Sequence, residues 1–220
     1  MTCLLVVAKA PVAGLAKTRL CPPLTPAEAA EVAAAALLDT LTAVLATPGV
    51  RPVVALTGSL AQAARAREIA DLLRHCAVFP QRGNGFPERL ACAHADVAAR
   101  FPGRGVLQIG MDTPQVTPEL LSASIQRFAD ADALLGHAFD GGWWALGLRD
   151  PACAAVLRDV PTSRSDTGAR TVRALRDKGL RVADLTPLSD VDTMDDAKSV
   201  AATTDGRFAA AVARLVGVRS

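Results

Sequence analysis

Four short segments carry side chains able to do chemistry. The first is KAPVAGLAKTRL, Lys9 to Leu20. The chain has only four lysines among 24 basic residues, and Lys9 and Lys17 fall in this segment with Arg19. Gly14 lets backbone come close to a ligand. Lys9, Lys17 and Arg19 together would neutralise a pyrophosphate, the guanidinium in bidentate fashion. A solvated loop with basic side chains fits these residue types equally well, and neither GxxxxGK[ST] nor GxGxxG is present. The second segment, IGMDTP, sets Asp112 just past a buried strand. A carboxylate there can hold Mg²⁺ together with substrate phosphates, while Asp-Thr-Pro is also good turn chemistry. The third, SDVDTMDD, holds Asp190, Asp192, Asp195 and Asp196. Alternation puts Asp190 and Asp192 on one side of an extended segment, where a cation between them relieves their repulsion. Thr193 reads as a helix cap with Asp195 and Asp196 in the first turn. The fourth, FDGGWWALGL, has a hairpin turn at Asp140-Gly141-Gly142 followed by both tryptophans of the chain. Trp143 and Trp144 point to opposite faces, one suited to the core and one to a cleft. Aromatic faces stack on sugars or bases. A further polar segment, Thr162 to Arg170, reads either as an acceptor loop or as a connection. His75, His94 and His137 show no evident partners, and no Ser-His-Asp spacing or GxSxG occurs.

The elements that must position these segments follow from the apolar pattern. Strands are expected at 3–8, 51–57, 76–80, 105–110, 132–138, 143–148 and 180–185. Thr25, Pro26 and Glu28 form a capping box that opens a helix running to about Ala46. Further helices are expected at 60–74, 88–100, from Pro118 behind a Thr117 cap, near 151–158, at 167–178, after Thr193 and at 206–217. Strands that alternate with helices imply a mostly parallel sheet covered on both faces, with one antiparallel hairpin. Ligands of such sheets bind beyond the carboxyl ends of the strands. The 220 residues read as a single domain over 1–220.

Composition narrows the function classes. Half of the residues are hydrophobic and 21% are charged, which excludes a disordered chain. A net charge of +2 provides no field for a polyanion, so no nucleic acid is expected as partner. Five cysteines without a CxxC argue against a disulfide framework or a zinc knuckle. No apolar run is read as approaching the ~20 residues of a membrane span, and Cys3 to Ala8 is too short for a signal-peptide core. The expectation is a soluble cytoplasmic protein with no membrane partner. Apolar helix faces serve either the core or a homodimer.

Taken together, AKAPVAGLAKTRLCPPLTPAEAA, PQRGNGFPERL, IGMDTPQVTPELL, LLGHAFDGGWWALGL and DVDTMDD resemble, in that order and over nearly the whole chain, the DUF2064 family of glycosyltransferase-like proteins. This is transferase 1 of the radical-SAM/selenodomain-associated group. Its relatives include guanylyltransferases of deazaflavin-cofactor synthesis and nucleotidyltransferases of molybdenum-cofactor synthesis. The resemblance implies a GT-A fold, a three-layer α/β/α Rossmann-like sheet. It implies that Lys9, Gly14, Lys17 and Arg19 hold nucleotide phosphates. It further implies Mg²⁺ or Mn²⁺ on Asp112 and Asp192, with Asp190 as the alternative second ligand. An acceptor would bind near Asp140, Gly141, Gly142 and Trp143. Asp140 would then be its general base, and Lys17 would stabilise the leaving group. Two departures stand out. The family's DGGYY reads Asp140-Gly141-Gly142-Trp143-Trp144 in a chain without tyrosine, and its GSD reads Gly110-Met111-Asp112. The implied function is a metal-dependent transfer of sugar from a nucleotide-diphospho-sugar to a small-molecule acceptor. The alternatives are nucleotidyl transfer with release of pyrophosphate and a non-catalytic nucleotide-binding module.

Overall fold

The computed structural model describes residues 1–217. Strands β1 (Thr2–Lys9), β2 (Val50–Thr57), β3 (Ala77–Pro80), β4 (Val106–Gly110), β5 (Ala133–Ala138), β6 (Trp143–Leu148) and β7 (Val182–Leu188) form one sheet in the order β3-β2-β1-β4-β6-β5-β7. β1 is parallel to both β2 and β4, β2 to β3, and β5 to β7, whereas β6 runs antiparallel to β4 and β5. The fold is the expected α/β arrangement with its hairpin. The chain leaves β1 toward β2 and β3, then returns to place β4 on the other flank of β1. That reversal makes the carboxyl ends of β1 and β4 the switch point of the sheet, where a crevice opens. Since β5 and β7 share the direction of β4, their carboxyl ends deliver side chains to the same edge.

Helices α1 (Pro26–Ala46), α2 (Ala66–Leu73) and α4 (Pro118–Gln126) cover one face, where Leu4, Val6, Leu37, Leu41, Ile69, Leu107 and Leu121 pack together. α3 (Phe86–Arg100), a 3-10 segment (Pro151–Asp159) and α5 (Thr167–Asp177) cover the other through Leu5, Leu90, Val97, Leu146, Leu157 and Leu175. α6 (Met194–Ala201) and α7 (Arg207–Gly217) pack on the outside of α1, burying Val32, Ala36, Val191, Phe208 and Val212. α1 is therefore enclosed on two sides, which is why it is apolar nearly all round. Its capping box is formed, with Thr25 Oγ1 accepting from the Glu28 N–H at 3.3 Å and the Glu28 carboxylate accepting from the Thr25 N–H at 2.7 Å.

This helix corrects one expectation. At 21 residues and a mean hydropathy of 1.6 over its most apolar window, α1 is long and apolar enough to cross a membrane, the one such helix among the described residues; 72% of that window is buried inside the fold. Three element boundaries also shift. The helix expected at 60–74 divides into a 3-10 turn (Leu60–Gln62) and α2, because Arg65 between them is left-handed at φ 53°. The helix near 151–158 is 3-10, started by Asp150, whose Oδ1 accepts from the Ala152 N–H at 2.9 Å. β7 begins two residues later than expected. The Leu180 N–H is used by Leu175 O at 3.2 Å, and the Arg181 N–H by Asp132 Oδ2 at 3.1 Å. All five cysteines are free.

Candidate active site

The loop after β1 turns sharply. The N–H groups of Leu15 and Ala16 both reach Val12 O at 3.0 Å, and Gly14 takes φ +75° with open space around it. Gly14 thus serves the turn. Lys17 follows at φ 50°, a left-handed conformation that costs an ordinary residue on the order of 1–2 kcal/mol. Its contacts account for its persistence. Lys17 Nζ lies 2.9 Å from Asp112 Oδ2 and 3.6 Å from Asp192 Oδ1, it donates to Val191 O, and its side chain is only 9% exposed. Fully buried Leu20 anchors the far end of the turn. Arg19 stays exposed and places Nη1 2.6 Å from Asp192 Oδ2. Lys9 is turned to its own loop: its exposed Nζ donates to Leu15 O at 2.6 Å, while its backbone N–H donates to Met111 Sδ at 3.2 Å. The thioether thus serves as a backbone acceptor.

Two loops from the same edge of the sheet, those after β4 and β7, close on this turn. The Val191 N–H donates to Asp112 O at 3.2 Å, and the Gln115 amide donates to Ser189 O. The carboxylates divide into two groups. Asp112 turns Oδ2 to Lys17, and its buried Oδ1 has no partner among the described residues. Asp190, Asp192 and Asp140 bring one carboxylate oxygen each within 4.8 Å of one another. Asp192 belongs to both groups. Asp140 is exposed and accepts from the Gly142 N–H at 2.7 Å. Asp190 is half-buried, and its pKa is pushed up to about 6, by burial first and then by the charges of Asp140 and Asp192. Hard oxygen donors crowded in this way suit Mg²⁺ or Mn²⁺. Asp195 and Asp196 are turned to α6. Asp196 completes a capping box with Thr193, and Asp195 lies 3.6 Å from Lys198.

The hairpin turn forms the remaining wall. Gly141 sits at φ +88°, where a Cβ would overlap the Ser165 carbonyl oxygen. Its own carbonyl accepts from the Gly168 N–H at 2.8 Å, locking the start of α5 onto the turn. Gly141→Ala would combine left-handed strain with overpacking, a loss of about 2–5 kcal/mol. A melting temperature lower by roughly 5–15 °C is the expected result in a thermal scan. Trp144 is buried, with Nε1 donating to Thr186 O at 2.9 Å, and Trp143 is half-exposed. A cavity of about 610 Å³ is lined by Lys9, Arg19, Asp112, Asp140, Asp190, Asp192 and both tryptophans. Its size suits a small ligand.

Residues 40–164 match the model of the family DUF2064, described as an uncharacterized protein conserved in bacteria. The chain belongs to this family. No curated protein matches it significantly. Among solved structures, the DUF2064 chain is similar to a candidate nucleotide-diphospho-sugar transferase from Desulfovibrio desulfuricans G20. Identity is 28%, coverage is 92% of this chain and 88% of that one, and the TM-score is 0.79. A 4-diphosphocytidyl-2C-methyl-D-erythritol synthase matches at 12% identity, over 93% of this chain and 99% of that one, with a TM-score of 0.61. A cytidylyltransferase from Leptospira borgpetersenii serovar Hardjo-bovis (strain JB197) matches at 12% identity over 99% and 94%, with a TM-score of 0.56. The last two establish the shared fold of the DUF2064 chain and nothing finer.

Proposed function

We propose that this protein is a transferase acting on a nucleotide-activated substrate, moving a sugar from a nucleotide-diphospho-sugar to a small-molecule acceptor. The observation that carries this reading is the meeting of a cationic turn and a carboxylate cluster at the switch point of the sheet. The printed name of the Desulfovibrio structure supports the same class of substrate. Lys17 and Arg19 are positioned for the diphosphate and take up charge that develops on the departing nucleoside diphosphate. Both cations are engaged by Asp112 and Asp192. A diphosphate therefore competes with these carboxylates for the same two side chains and leaves them short of counter-charge. Asp190 and Asp192, joined by Asp112 once its Oδ2 leaves Lys17, are the residues that would hold Mg²⁺ or Mn²⁺; bound there, the ion would supply Lewis-acid neutralisation of the diphosphate. Asp140, the exposed member of the cluster, accepts the proton of the acceptor hydroxyl as general base.

Calorimetry with UDP and GDP, with and without Mn²⁺, tests this. The expected result is nucleotide binding that tightens with Mn²⁺ and weakens roughly 10–100-fold in Lys17→Ala, the scale of a charge-assisted hydrogen bond. Tight binding indifferent to Mn²⁺ and to Asp112→Ala would support a non-catalytic nucleotide-binding module instead. Turnover assays separate the chemistries. Release of a nucleoside diphosphate identifies glycosyl transfer, and release of pyrophosphate from a nucleoside triphosphate identifies nucleotidyl transfer.

A further inference from the structure

Two arginines in the large cavity have no task in the scheme above. Arg89, from the first turn of α3, and Arg164, from the loop before α5, both line the cavity that holds Asp140 and Asp190. They come from the same layer, since α3 packs on the 3-10 segment that leads into the Arg164 loop. Each is tethered through Nε and keeps its paired outer nitrogens for something else. Arg89 Nε donates to Gly85 O at 3.3 Å, and no carboxylate pairs with Arg89 among the described residues. Arg164 Nε lies 3.2 Å from Asp166 Oδ1, but Asp166 also holds Arg170 Nε at 2.7 Å. One carboxylate shared by two guanidiniums leaves a positive charge over.

The Arg164 loop is rigidly built. Ser163 takes the left-handed φ of 59°. Thr167 Oγ1 accepts from the Arg164 N–H at 3.2 Å and donates to Pro161 O at 3.1 Å. Strained backbone held this firmly is typical of ligand clamps. A tethered guanidinium with both NH2 groups free presents a planar fork that matches a carboxylate or a phosphate.

We infer that Arg89 and Arg164 form an oxyanion subsite, and that the acceptor is a small molecule carrying a phosphate or carboxylate group besides the hydroxyl that Asp140 deprotonates. This deepens the transferase reading and rests on it. Arg89 and Arg164 come from α3 and the loop before α5, whereas Lys17 and Arg19, the cations of the diphosphate, come from the loop after β1, so variants on each element read the two apart.

The test is calorimetry on the whole protein without nucleotide or metal, with glycerol 3-phosphate, glycerate and glycerol as probes. At least one of the two anionic probes is expected to bind roughly tenfold or more tightly than glycerol, and which one does so tells phosphate from carboxylate. Arg89→Ala and Arg164→Ala should each weaken that binding by roughly tenfold. Lysine at either position should recover only part of it, because a point charge lacks the fork. Arg19→Ala should leave it in place. Equal binding of all three probes would overturn the inference. So would a loss caused by Arg19→Ala but by neither of the other two variants. Nucleotide binding in the same preparations keeps the two levels apart. If native protein fails to bind nucleotides, the transferase reading falls. If nucleotides bind while the anion preference is missing, only the subsite falls.

Discussion

Asp190→Asn is expected to give a protein that melts later and turns over far more slowly. The carboxylate of Asp190 is half-buried beside Asp140 and Asp192, and its pKa is about 6 against an ordinary 3.8. A folded-state pKa above the unfolded one means that the native protein binds more protons between these values. The stability this lends is complete below pH 3.8 and is lost as pH rises through about 6. At pH 7 the ionised group therefore weakens the fold, by about 1–2 kcal/mol once its partial contact with water is allowed for. Asparagine keeps the shape of the protonated form and removes the repulsion. A rise in melting temperature of roughly 2–6 °C follows for a chain of this size. The same change removes a ligand of the proposed cation, and turnover should fall by roughly 10²–10³-fold, the scale of losing one preorganised charge-stabilising group. A thermal scan and a turnover assay on one preparation check both halves. A variant with native turnover would take Asp190 out of the site, whatever its melting temperature.

The second large effect centres on a buried histidine. His94, on α3, is completely buried, with Nε2 2.9 Å from Gln108 Oε1 and Nδ1 without a partner among the described residues. Burial lowers its pKa to about 4, against a smaller upward push from Gln108. Here the unfolded chain binds more protons. The stability that the neutral ring supports is whole above pH 6.5 and drains away as pH falls toward about 4. Between pH 7 and 4.5 this amounts to about 2–3 kcal/mol. His94→Gln can still donate to Gln108 and has nothing to protonate. It should resist acid better than the native chain by about that margin in urea unfolding. Asp190 works in the opposite direction over the same range, so the comparison is cleanest in an Asp190→Asn background. Equal acid sensitivity with and without His94 would show that other groups set the acid limit.

How much of this was legible in the sequence depended on the range of the interaction. The β-branched run of β1, the Thr25–Glu28 box and the Asp140-Gly141-Gly142 turn are local patterns, and all appear where the residues place them. Arg65 in a left-handed conformation is not a local pattern, and the helix expected through it is broken. That the loops after β1, β4, β5 and β7 share an edge followed from the parallel arrangement alone. Which carboxylate would face which cation did not. Asp112 pairs with Lys17 because Lys17 adopts a left-handed turn, and Asp140 joins Asp190 because the hairpin turns it there. Gln108 as the partner of His94 was likewise out of reach, since the contact spans two layers of the fold. Arg164 lies in the segment Thr162 to Arg170, legible as an acceptor loop or a connection, but nothing in the spacing joins it to Arg89.

The margins of the sheet have a further consequence. Its outermost strands, β3 and β7, each contain a proline, Pro80 in one and Pro187 in the other. Proline offers no N–H and blocks the docking of a foreign strand. Both borders of the sheet are thereby guarded against polymerising edge to edge into fibrils.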